Sequence, residues 1–93
     1  MKIEGLARVA SIKKTRVLAN IATELAKNRC FDKAIEIAQS IQNSYDKSRS
    51  LANIASELAK NQCVDEAIEI AQSVQDSYDK SRSLANIASE LAK

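Results

Sequence analysis

Apolar positions recur along this chain on two alternating helical arcs. Taking about 100° per residue from Arg49, Leu51, Ile54, Ala55 and Leu58 fall within roughly a quarter-turn on one side. This predicts a helix from about Ser44 or Tyr45 to Lys60. Asn43-Ser44 supplies N-cap oxygens ahead of it, as Asp76-Ser77 does one unit later. Asn61-Gln62-Cys63 is a short polar break. A second arc follows: Val64, Ala67, Ile68, Ile70, Ala71 and Val74, opposed by Asp65, Glu66, Glu69 and Gln72. It predicts a helix from about Val64 to Val74 or Gln75. Asp65 and Glu66 then lie in its first turn, where negative charge suits the helix dipole.

The pattern repeats. Residues 16–48 and 49–81 differ only as Val17/Ser50, Thr23/Ser56, Arg29/Gln62, Phe31/Val64, Lys33/Glu66, Ile41/Val74 and Asn43/Asp76. Residues 82–93 copy 49–60 without a change. Alanine at 52, 55, 59, 67 and 71 lets helices approach closely. One helix pair cannot bury both apolar faces, and stacking the next pair completes the core. The prediction is a single all-α domain, an α-α solenoid of stacked antiparallel helix pairs with about six helices. Residues 1–15 form a degenerate leading helix, centred on 3–12 and interrupted by Gly5. Residues 16–48 and 49–81 are the repeats, and 82–93 a terminal half-repeat.

The unit resembles the tetratricopeptide repeat in a 33-residue variant. Leu51, Ile54-Ala55 and Leu58 match the first-helix signature of that family. Asp65-Glu66-Ala67-Ile68-Glu69 matches the opening of its second helix, and Asp32-Lys33-Ala34-Ile35-Glu36 nearly so. The resemblance covers residues 16–93. It departs from the family's usual 34 residues, in lacking the proline after the second helix, and in having Arg29 or Gln62 where the inter-helix glycine usually stands. It implies a right-handed superhelix whose first helices line a concave groove that holds extended peptides.

On the first helices a polar ladder runs opposite the apolar stripe: Arg49, Asn53, Ser56 and Lys60, with Arg16, Asn20, Thr23 and Lys27 before it and Arg82, Asn86, Ser89 and Lys93 after it. The resemblance implies that the asparagines hydrogen-bond a ligand's main chain and that the basic residues pair with carboxylates. Arginine suits that pairing through its planar, two-pronged donors. Asp32, Glu36, Asp65, Glu66 and Glu69 are expected outward on the second helices, which would steer an acidic ligand to the basic side. A charged stripe opposite an apolar one is also what any soluble amphipathic helix shows.

Composition narrows the alternatives. A net charge of +2 and three aromatics, Phe31, Tyr45 and Tyr78, argue against nucleic acid. With no histidine, no Gly-rich loop and no evident carboxylate pair, the chain reads as no enzyme, with no metal and no cofactor. No apolar run approaches the ~18–20 residues of a membrane span, and the N-terminus does not resemble a signal peptide. Cys30 and Cys63 are expected as buried reduced thiols in a cytoplasmic setting. Tyr45 and Tyr78 are expected to pack between adjacent repeats.

Two functions follow as expectations. One is a protein-interaction scaffold for an extended, acidic peptide or a partner helix. The other is an assembly array with no ligand, which self-associates head to tail or by helix exchange through open ends, using Leu84, Ile87 and Leu91. The pattern opens and closes in mid-unit, which fits recent duplication, a piece of a longer array, or design.

Overall fold

The structure is a computed structural model; it describes the backbone of residues 2–93 and the side chains from Lys14 onward. Five helices and no strand occur among the described residues: α1 Lys2–Lys27, α2 Phe31–Ser40, α3 Ser44–Lys60, α4 Val64–Ser73 and α5 Ser77–Ala92. The repeat pattern predicts six helices and the structure has five among the described residues, because α1 runs on past residue 12 without a break. The repeat alignment gives the reason. Thirty-three residues before the capping Asn43 stands Ala10, and Arg8-Val9-Ala10 replaces Ile41-Gln42-Asn43. Alanine cannot accept the cap hydrogen bond and is the best helix former, so nothing there starts a new helix. The side chains of residues 3–12 lie outside the described residues.

Two kinds of three-residue joint alternate. After α1 and α3 the chain turns through Arg29 and Gln62, with φ of 66° and 68°. The Gln62 N–H donates to Ala59 O at 3.0 Å and the Cys63 N–H to Leu58 O at 2.9 Å. Arg29 and Cys30 repeat these bonds on Ala26 and Leu25 at 3.0 and 2.9 Å. This is the Schellman pattern, which satisfies the last carbonyls of a helix and needs a left-handed residue. After α2 and α4 the chain runs extended through the buried Ile41 and Val74. The carboxamide of Asn43 and the carboxylate of Asp76 then accept from the N–H groups of Asp46 and Asp79, at 3.0 and 2.9 Å.

Helix α3 packs against all four others. Among the described residues α1 meets only α2 and α3, and α5 only α3 and α4. Burial follows from this order. Ile54 and Leu58 of the central helix are 0% exposed. Of their counterparts in the end helices, Ile21 and Leu91 are 42% and 60% exposed, while Leu25 is half-buried and Ile87 buried. Identical side chains differ because α3 has neighbours on both sides and the end helices on one. Small residues, Ala22 and Ala26 with Ala34 and Ala38, and Ala55 and Ala59 with Ala67 and Ala71, are buried in the common core. No helix of the described residues is long and apolar enough to cross a membrane.

Candidate functional site

The polar ladder lies along the first helices and is cut by two clefts. The first, about 350 Å³, opens between α1 and α3. It brings together Arg16, Asn20 and Thr23 of α1 with Arg49 and Asn53 of α3, and adds Tyr45, Asp46 and Ser50. The second, about 310 Å³, lies between α3 and α5 and joins Tyr45, Arg49, Asp76, Tyr78, Asp79 and Arg82. Arg49 and Tyr45 line both, so the clefts run on from each other.

The ladder residues are not equally free. Lys27, Lys60 and Lys93 each meet a glutamate three residues back on their own helix, Glu24 at 3.8 Å, Glu57 at 3.5 Å and Glu90 at 3.1 Å. The lysines are more than half exposed, so such pairs contribute about 0–1 kcal/mol and leave the ammonium groups largely hydrated. None of the three lines either cleft. Asn86 donates from its amide to Ser56 Oγ at 3.1 Å, which ties α5 to α3. Thr23 Oγ1 donates back to Ala19 O at 3.0 Å. Ser89 is exposed and outside both clefts. By contrast Arg16, Asn20 and Asn53 make no hydrogen bond or ion pair among the described residues.

Acidic groups are interleaved with the arginines, which corrects the picture of a purely basic face. Asp46 accepts from Thr15 Oγ1 at 3.0 Å. Asp79 is buried and pairs with Arg82 at 3.4 Å. The accessible charge of the α1–α3 cleft is still positive, since Arg16 and Arg49 are exposed and Asp46 is half-buried and engaged. On the second helices Asp32, Glu36, Asp65, Glu66 and Glu69 are all exposed.

Two buried polar side-chain atoms have no hydrogen-bond partner among the described residues: Ser50 Oγ and Arg82 Nε. Ser50 is a residue of the first cleft and Arg82 of the second, but the two atoms themselves are shielded from solvent. Leaving such a group unpaired costs about 1–3 kcal/mol, so each needs a reason.

The tyrosines and cysteines stand differently from expectation. Tyr45 and Tyr78 are 57% and 73% exposed and do not pack between repeats. They sit in the first turn of their helices on the ladder side. The Tyr45 ring lies 5.7 Å from the Arg49 guanidinium carbon, and its hydroxyl accepts from that group at 3.3 Å. Cys30 is exposed and Cys63 half-buried, both as free thiols. Each follows the left-handed residue of its helix joint, and Cys63 packs partly against the core. Leu84 is half-buried and Ile87 buried within the chain, so of the three end residues Leu91 is the exposed one.

The helical wheel could have found Tyr45, which sits one turn before Arg49 on the ladder side. It could not have found Ser50, which lies toward the apolar side and reaches the cleft only because α1 packs there. Among the described residues no three His, Cys, Asp or Glu side chains gather as a metal site would require. No family model, curated protein or solved structure matches the chain.

Proposed function

We propose that the chain is a tetratricopeptide-like solenoid of stacked helix pairs that serves as a non-catalytic interaction scaffold, binding an extended acidic peptide along its first helices. The observation that carries this is the continuous pair of clefts on one face, which gathers the exposed Arg16 and Arg49 with Asn20 and Asn53. Asn20 and Asn53, with free amides in one cleft, suit a ligand main chain, and Arg16 and Arg49 suit its carboxylates. Among the described residues no helix contact reaches beyond the next helix but one, α1 meeting α2 and α3 and α5 meeting α3 and α4, which supports the solenoid reading. Exposed and half-exposed free thiols at Cys30 and Cys63 favour a reducing compartment such as the cytoplasm.

The test is a screen of an acidic peptide library against the chain and the double variant Arg49→Glu/Asn53→Asp. Binding lost in the variant, with helicity retained, supports the reading. A library with no ligand above background refutes it.

A second reading has its own observation: Val17, Ile21 and Leu91 expose apolar surface at opposite ends of the stack. Their counterparts in α3, Ser50, Ile54 and Leu58, are buried by neighbouring helices. A second copy could cover the ends head to tail. Sedimentation showing only monomer at high micromolar concentration, with a melting temperature independent of concentration, removes this reading.

A further inference from the structure

We propose that the groove selects peptides in the polyproline II conformation carrying an acidic side chain at every third residue; this rests on the peptide-binding reading and names its ligand class. Arg16 and Arg49 share one cleft and Arg49 and Arg82 the next. The three guanidinium groups therefore stand in series, one on each successive first helix. Packed helices lie about 8–10 Å apart. A ligand that meets the arginines in turn has to present carboxylates on one side at that interval.

Regular backbones differ sharply in meeting this demand. A β-strand returns a side chain to the same side every second residue, at about 6.6 Å, or every fourth, at about 13 Å. Neither fits. A polyproline II helix has three residues per turn and a rise of about 3.1 Å, so every third residue recurs on one side at about 9.3 Å. An α-helix comes near the interval at every seventh residue, about 10.5 Å, but its backbone groups are already bonded within the helix. Asn20 and Asn53 offer free amides in the α1–α3 cleft. A polyproline II backbone has no internal hydrogen bonds, so its carbonyls remain open to them.

The local charges refine the register. Asp46 is engaged by Thr15 and only half-buried, whereas Arg16 and Arg49 are exposed. Asp79 already holds Arg82 at 3.4 Å. The first two carboxylates, on Arg16 and Arg49, therefore dominate the affinity and the third adds less.

Titration calorimetry with blocked peptides of about twelve residues, four turns of such a helix, tests this. One peptide repeats Glu-Pro-Pro. A second has the same composition with its glutamates placed together, and a third is helical with glutamate at every seventh position. The expected result is Glu-Pro-Pro binding at least about tenfold tighter than either rival, with Arg16→Gln and Arg49→Gln each lowering that affinity by about tenfold or more. Both variants are checked for unchanged helicity. Equal affinity for the same-composition peptide, or preference for the helical one, overturns the spacing rule while leaving a basic peptide groove in place. Failure of all three acidic peptides to bind overturns the spacing rule and the peptide-binding reading together.

Discussion

Replacing Gln62 with glycine should stabilise the chain. Gln62 holds φ of 68°, a left-handed conformation in which the Cβ crowds the following carbonyl at roughly 1–2 kcal/mol. The chain accepts this because the Schellman bonds need it: Gln62 N–H to Ala59 O and Cys63 N–H to Leu58 O form only around a left-handed residue. Glycine removes the crowding and keeps both bonds. It also loosens the unfolded chain, which takes back about 0.4–1 kcal/mol. The difference is a gain of about 0.5–1 kcal/mol. In a domain of this size each kcal/mol moves Tm by about 4–8 °C, so Gln62→Gly should raise Tm by about 2–8 °C. Arg29→Gly, at φ of 66° in the equivalent joint, should do the same, and the two should add because the sites share no partner.

The series sharpens the test. Gln62→Asn should lie between glutamine and glycine, since asparagine tolerates the left-handed region, and Gln62→Val should fall below wild type, since a β-branched residue does not. Thermal unfolding followed by far-ultraviolet circular dichroism measures all of them. A Gly variant that melts lower than wild type, or a Val variant that melts with the Gly one, refutes the left-handed joint.

Ser50→Ala should leave Tm unchanged or raise it, because it removes a buried hydroxyl that has no partner among the described residues. A variant that melts well below wild type contradicts this. Leu58→Ala and Leu91→Ala remove the same side chain from the same local sequence. The first should cost about 2–5 kcal/mol and the second under about 0.5 kcal/mol at dilute concentration, measured by urea unfolding. Equal losses would mean that α5 is covered in solution. In sedimentation at high concentration, Leu91→Ala should reduce any head-to-tail association.

The periodicity made most of the fold readable. Apolar arcs on a helical period placed α3 at Ser44–Lys60 and α4 at Val64–Ser73 within a residue or two. Asn43 and Asp76 were recognisable as caps because only a short polar side chain can reach the free N–H groups there. The first element was misjudged where the repeat degenerates. Ala10 stands where a capping residue would be needed to start a new helix, and Gly5 costs a helix only about 1 kcal/mol, too little to end it. Cys30 and Cys63 were misplaced because cysteine is a commonly buried residue; their position after a left-handed turn decides otherwise. The candidate face was half legible. A wheel orders Arg49, Asn53, Ser56 and Lys60 on one side. It is silent on which of them a neighbouring helix will engage, as Asn86 of α5 engages Ser56.

Ser50 and Ser83 show where that silence begins. Both follow the same Lys-Ser-Arg triplet, Lys47-Ser48-Arg49 and Lys80-Ser81-Arg82. Both are 1% exposed. Ser83 Oγ donates to Lys80 O at 3.1 Å, whereas Ser50 Oγ makes no bond among the described residues. Local sequence cannot produce that difference, because it is the same in both. What differs is the stack: α3 carries α1 on one side and α5 on the other, and Ser50 sits at the cleft that α1 helps to form. The α1–α3 cleft is therefore a property of two packed helices and not of either ladder. A ligand spanning it touches Arg16 and Asn20 on one helix and Arg49 and Asn53 on the other, so binding and α1–α3 packing are thermodynamically linked. A substitution that loosens α1 at a core position such as Ala22 or Ala26 should weaken the ligand without touching a ladder residue. The ligand should in turn raise the stability of α1, which among the described residues meets only α2 and α3.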